Sequence, residues 1–298
     1  MTNVIVTIPA YNEENSLGQV LQDIRANLGK RYKYKILVVD DCSTDGTAQI
    51  AKQNGAIVIS HPRNYGLAET FKTEISECLK HKPDVIVHTD ADGQYPAEYI
   101  PVLIEKVLEG NHLVLGSRFK QSKHADSIVK DLTNRIFAAA LSSMTKYKIT
   151  DSTTGFRAFT KDIANLGIIS NHTYTQEQII RAARSRLKIA EVPIAARKTR
   201  QSRLMKSYPL FHPIEYAVKA WINIFRIYRD YEPLKFFGYF GSGAMTTGLL
   251  LGLWLFAIYF NTGRVGHPNT AILSMLLIIS GLQIFLFGFL ADMQRTRS

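Results

Sequence analysis

Charge is missing from two long stretches of this 298-residue chain. Phe236–Phe260 has no charged residue in 25 positions, and Thr270–Ala291 has none in 22. Helices on a soluble body seldom stay apolar on every face for that length, and about 20 apolar residues span a bilayer core. Both stretches therefore read as transmembrane helices, with a pair of buried core helices as the weaker alternative. Cysteine is scarce as well. Cys42 and Cys78 lie far apart without metal-type spacing, which excludes a disulfide scaffold and reads as two reduced thiols. No internal repeat, low-complexity linker or nucleic-acid-binding module is visible. No signal peptide precedes Asn3, so the first ~230 residues are expected to stay in the cytoplasm.

What is abundant is positive charge next to the first apolar run. Arg181 to Lys235 holds 13 Lys and Arg against four Asp and Glu. The link Asn261–Asn269 carries only Arg264, and the tail ends in Arg295 and Arg297. The positive-inside rule then puts both termini in the cytoplasm and the link outside. A juxtamembrane basic excess suits anionic lipid headgroups, so the expected partner is membrane lipid and not nucleic acid. Before the first span, Ile214, Ala217, Val218, Trp221, Phe225 and Tyr228 share one helical face, opposite Glu215, Lys219, Arg226 and Arg229. That pattern predicts an amphipathic helix over 208–235, lying at the membrane interface or packed on its own domain.

The first two hundred residues alternate. Short β-branched runs at Val4–Ile8, Ile36–Val39, Ala56–Ile59, Val85–Val87 and Leu113–Leu115 are separated by helical patterns. The helices are expected at Ser16–Leu28, Thr44–Asn54, Leu67–His81 and Glu98–Glu109. This predicts an α/β domain with a mostly parallel sheet. Beyond residue 120 come a helix at Ser127–Lys146, a turn-rich "DSTTGFRAF" at 151–159, a helix at Thr175–Leu187 and a strand near Ile189–Ile194, followed by a basic loop at Arg197–Lys206. The domain plan is 1–207 catalytic, 208–235 interfacial helix, 236–291 two-helix anchor and 292–298 tail.

In an open α/β sheet, ligands bind beyond the carboxyl ends of the strands. Three such ends are polar here: "IPAYNEE" (8–14), "VVDDCSTDGT" (38–47) and "HTDADGQYP" (88–96). Asp90 and Asp92, two apart, would repel unless a cation sat between them. Asp40 serves equally well as a cap with Ser43 and Thr44, and Asp45-Gly46 reads as a simple turn.

With "GSRF" and "DSTTGFRAF", these motifs resemble the family 2 glycosyltransferases of the GT-A fold, within them the dolichol-phosphate mannose synthase and polyprenyl-phosphate glycosyltransferase branch. The resemblance covers roughly residues 3–205. It implies a nucleotide-sugar donor, GDP-mannose first and UDP-glucose as the alternative, a dolichyl or other polyprenyl phosphate acceptor, with a non-phosphate acceptor as the alternative, and Mg²⁺ or Mn²⁺. It also implies roles by position. Asp92 and Gln94, assisted by Asp90, would hold the metal, with Asp92 and Arg118 as the catalytic residues. Pro9, Tyr11, Glu13, Val39, Asp41 and Ala91 would line the donor nucleotide. Arg118, Arg197 and Arg203 would contact phosphates; the family usually has Lys where Arg203 stands. Lys130, Thr133 and Arg135 are candidates for the acceptor phosphate, and their spacing does not choose among them. Arg157 either supports the acceptor pocket or forms a buried ion pair. Glu177 is a base only if it reaches the pocket. No "Q-x-x-R-W" segment of the processive polysaccharide synthases is present.

Overall fold

The computed structural model describes residues 2–119, 128–169, 174–197, 231–264 and 267–295, together with Ile222, Phe225, Arg226, Tyr228 and Arg229. The chain forms two compact units, Met1–Glu215 and Tyr216–Ser298. The expected amphipathic helix lies largely outside the described residues.

The first unit is built on seven strands: β1 Asn3–Ala10, β2 Lys33–Asp40, β3 Ile57–Ser60, β4 Val85–His88, β5 Leu113–Ser117, β6 Arg157–Phe159 and β7 Ile189–Pro193. They form one sheet in the order β3-β2-β1-β4-β6-β5-β7. All pairings are parallel except those of β6, which runs antiparallel to both β4 and β5. The helices are α1 Leu17–Leu28, α2 Thr47–Gln53, α3 Leu67–Lys80, α4 Ile100–Leu108, α5 Ile128–Thr145, α6 Lys161–Asn165 and α7 Tyr174–Arg184.

Strand β1 is buried from Val4 to Ala10 because both of its faces are covered, as a central parallel strand requires. Its alternate residues Val4, Val6, Ile8 and Ala10 join one apolar cluster with Leu17, Leu21 and Ile24 of α1 and Ile100, Leu103 and Ile104 of α4. Helix α3 packs on β1 and β2 with Phe71 and Ile75 outside that cluster.

The mostly parallel sheet agrees with the alternating pattern, and the fifth to last elements correct it in one place. Residues 157–159, expected within a turn-rich stretch, form β6 and close the gap between β4 and β5. A three-residue strand is too short to carry a periodic signal. Helix α6 was likewise not expected.

The second unit contains α8, Pro233–Thr262, and α9, Pro268–Arg295. Both are long and apolar enough to cross a membrane. They pack through small residues: a Cβ on Gly241 would meet the Gly281 carbonyl oxygen at 2.6 Å, and one on Gly248 would meet that of Ser274 at 2.8 Å. The Ser274 hydroxyl donates to the Gly248 carbonyl at 2.7 Å. Close backbone approach of this kind is how helices associate where lipid removes the hydrophobic drive.

Candidate active site

Because β1 sits between β2 and β4, the loops that follow these three strands lie side by side at the sheet's switch point. Antiparallel β6 brings the segment before it, residues 151–156, to the same rim.

The loops after β1 and β2 are laced together. The Asn12 amide donates to Ser43 Oγ at 2.9 Å, and the Thr44 amide donates to Asn12 Oδ1 at 2.8 Å. The Glu13 amide donates to Thr47 Oγ1 at 2.8 Å, the Glu14 amide to Asp45 Oδ2 at 3.2 Å, and the Gly46 amide to Glu14 Oε2 at 2.9 Å. Asn12 takes a left-handed φ of 54°, which Asn tolerates better than most residues. Asp45-Gly46 is thus a cross-link between two loops and not a simple turn. Asp40 accepts the Ser43 amide at 3.1 Å, but α2 starts only at Thr47 after Gly46, so Asp40 holds the turn and does not cap the helix. Tyr11 is left exposed on the rim, while Pro9, Val39 and Ala91 are buried, so any contact from Val39 or Ala91 falls to backbone.

Asp41, expected to face a base or ribose, is engaged elsewhere. Its Oδ1 accepts His61 Nδ1 at 2.7 Å and the Tyr65 amide at 2.9 Å, and its Oδ2 accepts the Gly66 amide at 2.8 Å. Burial pushes its pKa up, but these three donors outweigh that and hold it below the ordinary carboxylate value. Asp41 tethers the β3–α3 connection.

After β4, Asp92 Oδ1 accepts the Gln94 amide at 2.9 Å. Asp90 is half-buried, and its carboxylate accepts no hydrogen bond from the described residues. Burial, then the charge of Asp92, raise its pKa to about 6 against the opposing pull of His88 and Arg118. Glu13 is also raised, first by burial and then by Asp92, despite the hydrogen bond from Ser16 at 2.6 Å. Asp90, Asp92 and Glu13 thus sit within electrostatic reach of one another, with Arg118 close enough to offset part of the charge on Asp90. Among the described residues no group of three His, Cys, Asp or Glu is arranged to enclose a metal ion. Two carboxylates, one of them without a hydrogen-bond donor, suit a hard cation that takes its remaining ligands from phosphate and water.

Arg118 stands at the end of β5. Its Nε and Nη2 grip both oxygens of buried Asp151 at 2.8 and 3.0 Å, and Nη2 also donates to Thr153 Oγ1 at 2.9 Å. Asp151 is itself placed by Glu191 of β7, which accepts the Thr150 amide at 2.8 Å, the Thr150 hydroxyl at 2.7 Å and the Asp151 amide at 3.3 Å. The guanidinium is about a quarter exposed and charged close enough to Asp90 to stabilise its anion. Arg197 is joined to the rim through its backbone, whose amide donates to the Gln94 carbonyl at 2.8 Å. Its guanidinium points to Asp23 of α1 at 3.6 Å. Arg203 lies outside the described residues, as do the side chains of Lys130 and Thr133 on α5; Arg135 is exposed on the same helix.

Under the rim lies a buried polar cluster. Arg157 donates to the Thr175 carbonyl at 3.2 Å, to Gln178 Oε1 at 2.9 Å and to the Thr154 carbonyl. Among the described residues its hydrogen-bond partners are neutral, so of the two readings of Arg157 the buried ion pair gives way to a cradle of carbonyl and amide oxygens. Buried His88 and Glu74 approach to 3.2 Å. Glu177 is buried too, accepting the Ile169 amide at 2.9 Å and Arg181 Nε at 2.7 Å, so it is a structural residue.

Residues 5–167 match the model of the family described as glycosyl transferase family 2. The chain belongs to that family.

Two relatives and one solved structure place this family 2 transferase further. It is 32% identical over 198 residues to a dolichyl-phosphate hexose transferase of Haloferax volcanii, covering 66% of this chain and 83% of the relative. The glycosyltransferase AglJ of the same organism is 27% identical over 297 residues, covering 97% of this chain and 93% of the relative. Glucosyl-3-phosphoglycerate synthase of Mycobacterium tuberculosis, crystallised with Mn²⁺, UDP and glucosyl-3-phosphoglycerate, superposes with a TM-score of 0.54 at 19% identity, over 75% of this chain and 80% of that one. At that identity the likeness speaks for the fold, which is GT-A-like.

Sequence reasoning on the transferase missed the loop lacing, the Glu191–Asp151–Arg118 chain and the polar cluster. The Asp-Ser-Thr-Thr run and its neighbours gave a hint of dense local hydrogen bonding. Glu74 and His88, each amid apolar residues of a helix and a strand, were visible as polar residues at core positions.

Proposed function

We propose that the transferase moves a hexose from a nucleotide diphosphate sugar to a polyprenyl phosphate at the cytoplasmic membrane face, and that the donor is GDP-mannose. The observation that carries this reading is the Asp90–Asp92 pair at the switch point, with Asp90 free of hydrogen-bond donors among the described residues. The relative described as a dolichyl-phosphate hexose transferase supports the acceptor, and the resemblance to dolichol-phosphate mannose synthases supports the donor. Two apolar helices support a site beside a bilayer, and the basic residues between Arg181 and Lys235 support both termini facing the cytoplasm.

Asp92 and Asp90, with Gln94 beside them, would hold Mg²⁺ or Mn²⁺. When bound, the cation neutralises charge on the departing nucleoside diphosphate. Tyr11 offers a ring to the base, and Glu13 an acceptor. Arg118, fixed in orientation by Asp151, presents a delocalised charge suited to phosphate oxygens. Lys130, Thr133 and Arg135 remain the acceptor-side candidates on α5, and Arg197 and Arg203 the cations of the basic loop.

A phosphate monoester is already ionised at pH 7, so its oxygen attacks the anomeric carbon without a strong base. The new C–O bond forms on one face as the bond to the diphosphate oxygen breaks on the other, giving a β-linked lipid-phosphate sugar from an α-linked donor. Positioning and electrostatics then carry the rate.

The test is purified full-length protein with Mg²⁺ or Mn²⁺, a polyprenyl phosphate, and GDP-mannose, UDP-glucose or their N-acetyl relatives. Lipid-linked mannose is expected. A polyprenol or diacylglycerol outcompeting the lipid phosphate overturns the acceptor assignment. Asp92→Ala is expected to lower turnover by about 10²–10³-fold with its circular dichroism spectrum unchanged. Cysteine labelling within 261–269 from the extracytoplasmic side checks the topology.

A further inference from the structure

Gly155 is the residue in "TTGFR" whose lack of a side chain is spatial in origin. Seven described glycines take a positive φ, and Gly155 is not one of them, so a left-handed backbone is not what calls for glycine there. Space would not. A Cβ there would stand 2.9 Å from Asp90 Oδ1 and 3.4 Å from Oδ2. The Asp90 carboxylate thus occupies the place a Gly155 side chain would take, and is itself the obstacle to a methyl group there.

The backbone of Gly155 is fixed at both ends. Its amide donates to the Tyr95 hydroxyl at 3.3 Å, and its carbonyl accepts from His88 Nδ1 at 2.8 Å. Tyr95 stacks on Phe156, with ring centroids 5.2 Å apart and planes 9° from parallel. Phe156 lies so close to the next strand that a Cβ on Gly116 would meet its ring at 2.6 Å. Tyr95 and His88 come from the segments on either side of Asp90, so the stretch bearing the carboxylate also clamps the surface beneath it.

We infer that Gly155 is a positioning residue, a bare platform that seats the Asp90 carboxylate in the orientation needed to share a divalent cation with a nucleoside diphosphate. The inference rests on the proposed reading of the Asp90–Asp92 pair and extends it to a residue outside the acidic motif. A hydrogen-bonded clamp would usually orient such a carboxylate. Here, among the described residues, no donor does so, and shape takes that part.

The experiment is a thermal-shift titration of Mn²⁺ into the full chain in detergent with GDP or UDP present, for wild type, Gly155→Ala and Tyr95→Phe. Gly155→Ala is expected to raise the half-saturating Mn²⁺ concentration by about 10–100-fold, with a ligand-free Tm close to that of wild type. Turnover falls while KM for the lipid phosphate stays within about twofold, which separates a displaced carboxylate from general loosening. Tyr95→Phe keeps the stacked ring and removes the hydroxyl under the platform. It is expected to shift Mn²⁺ response in the same direction by about threefold, and it decides the matter if Gly155→Ala does not fold. A wild type that responds to Mn²⁺ with a Gly155→Ala variant that responds equally overturns the platform alone. A wild type with no Mn²⁺-dependent shift under either nucleotide overturns both the platform and the reading on which it rests.

Discussion

Both units of the chain contain glycines whose missing side chain leaves room for a neighbour, yet the neighbours differ in kind. In the catalytic unit Gly155 leaves room for a charged side chain, Asp90. In the helical hairpin Gly241 and Gly281 leave room for each other's backbone. The first unit stabilises itself through apolar burial and uses its polar contacts to orient groups. The second has little apolar surface to hide from a lipid solvent and depends on close packing. The difference teaches that the same small residue marks a site in one setting and a seam in the other.

Removing charge from the polar unit should have the largest effect. Arg118→Ala leaves Asp151 buried without its cation and is expected to cost about 3–5 kcal/mol, seen as a lowered denaturation midpoint of the catalytic unit. Arg118→Lys should recover part of that, since one ammonium cannot reproduce the two-pronged grip. A midpoint unchanged in Arg118→Ala would break the contrast. In the hairpin, Gly281→Leu is expected to cost about 1–3 kcal/mol by overpacking, read from detergent unfolding of the full chain, with the Mn²⁺ response of the catalytic unit intact.

The third change concerns pH. Asp41 has a folded-state pKa below its ordinary value, so its stabilisation is complete above about pH 4 and fades as pH falls through the lowered value. Asp41→Asn is expected to cost about 1–3 kcal/mol at neutral pH and to show a shallower fall in Tm between about pH 4 and 2 than wild type. A parallel fall in both proteins would remove Asp41 from the account. The smallest effect belongs to Ser274→Ala, which deletes one interhelical hydrogen bond and is expected to cost about 0.6 kcal/mol in the same detergent assay.

Much of this was legible in the residues, and where legibility stopped has a physical cause. The parallel strands and α1, α3 and α4 announce themselves because burial on known faces imposes a period. The acidic rim is visible because Asp90 and Asp92 follow a buried strand. For Asp41 a motif position states where a carboxylate stands, while the partners that hold it, His61, Tyr65 and Gly66, arrive from 20 to 25 residues further along. Arg157 was ambiguous for the same reason: its carbonyl partners at Thr154 and Thr175 have no sequence signature. Glu191, on the last strand, gave no hint of its hold on Thr150. Local pattern reveals elements; the contacts that aim a side chain are set by topology.

One feature of the sheet bears on how the protein is made. Strand β6 is three residues long, and its pairings Ile86–Phe159, Val87–Ala158 and His88–Arg157 are what join β4 to the β5–β7 side of the sheet. As the polypeptide emerges from the ribosome, β1 to β4 can assemble about seventy residues before β6 appears. During that interval the edge of β4, rich in valine and isoleucine, has no neighbour and is a template for unwanted pairing. The late arrival of "RAF" is then the moment at which a half-built sheet stops being a hazard to its own synthesis.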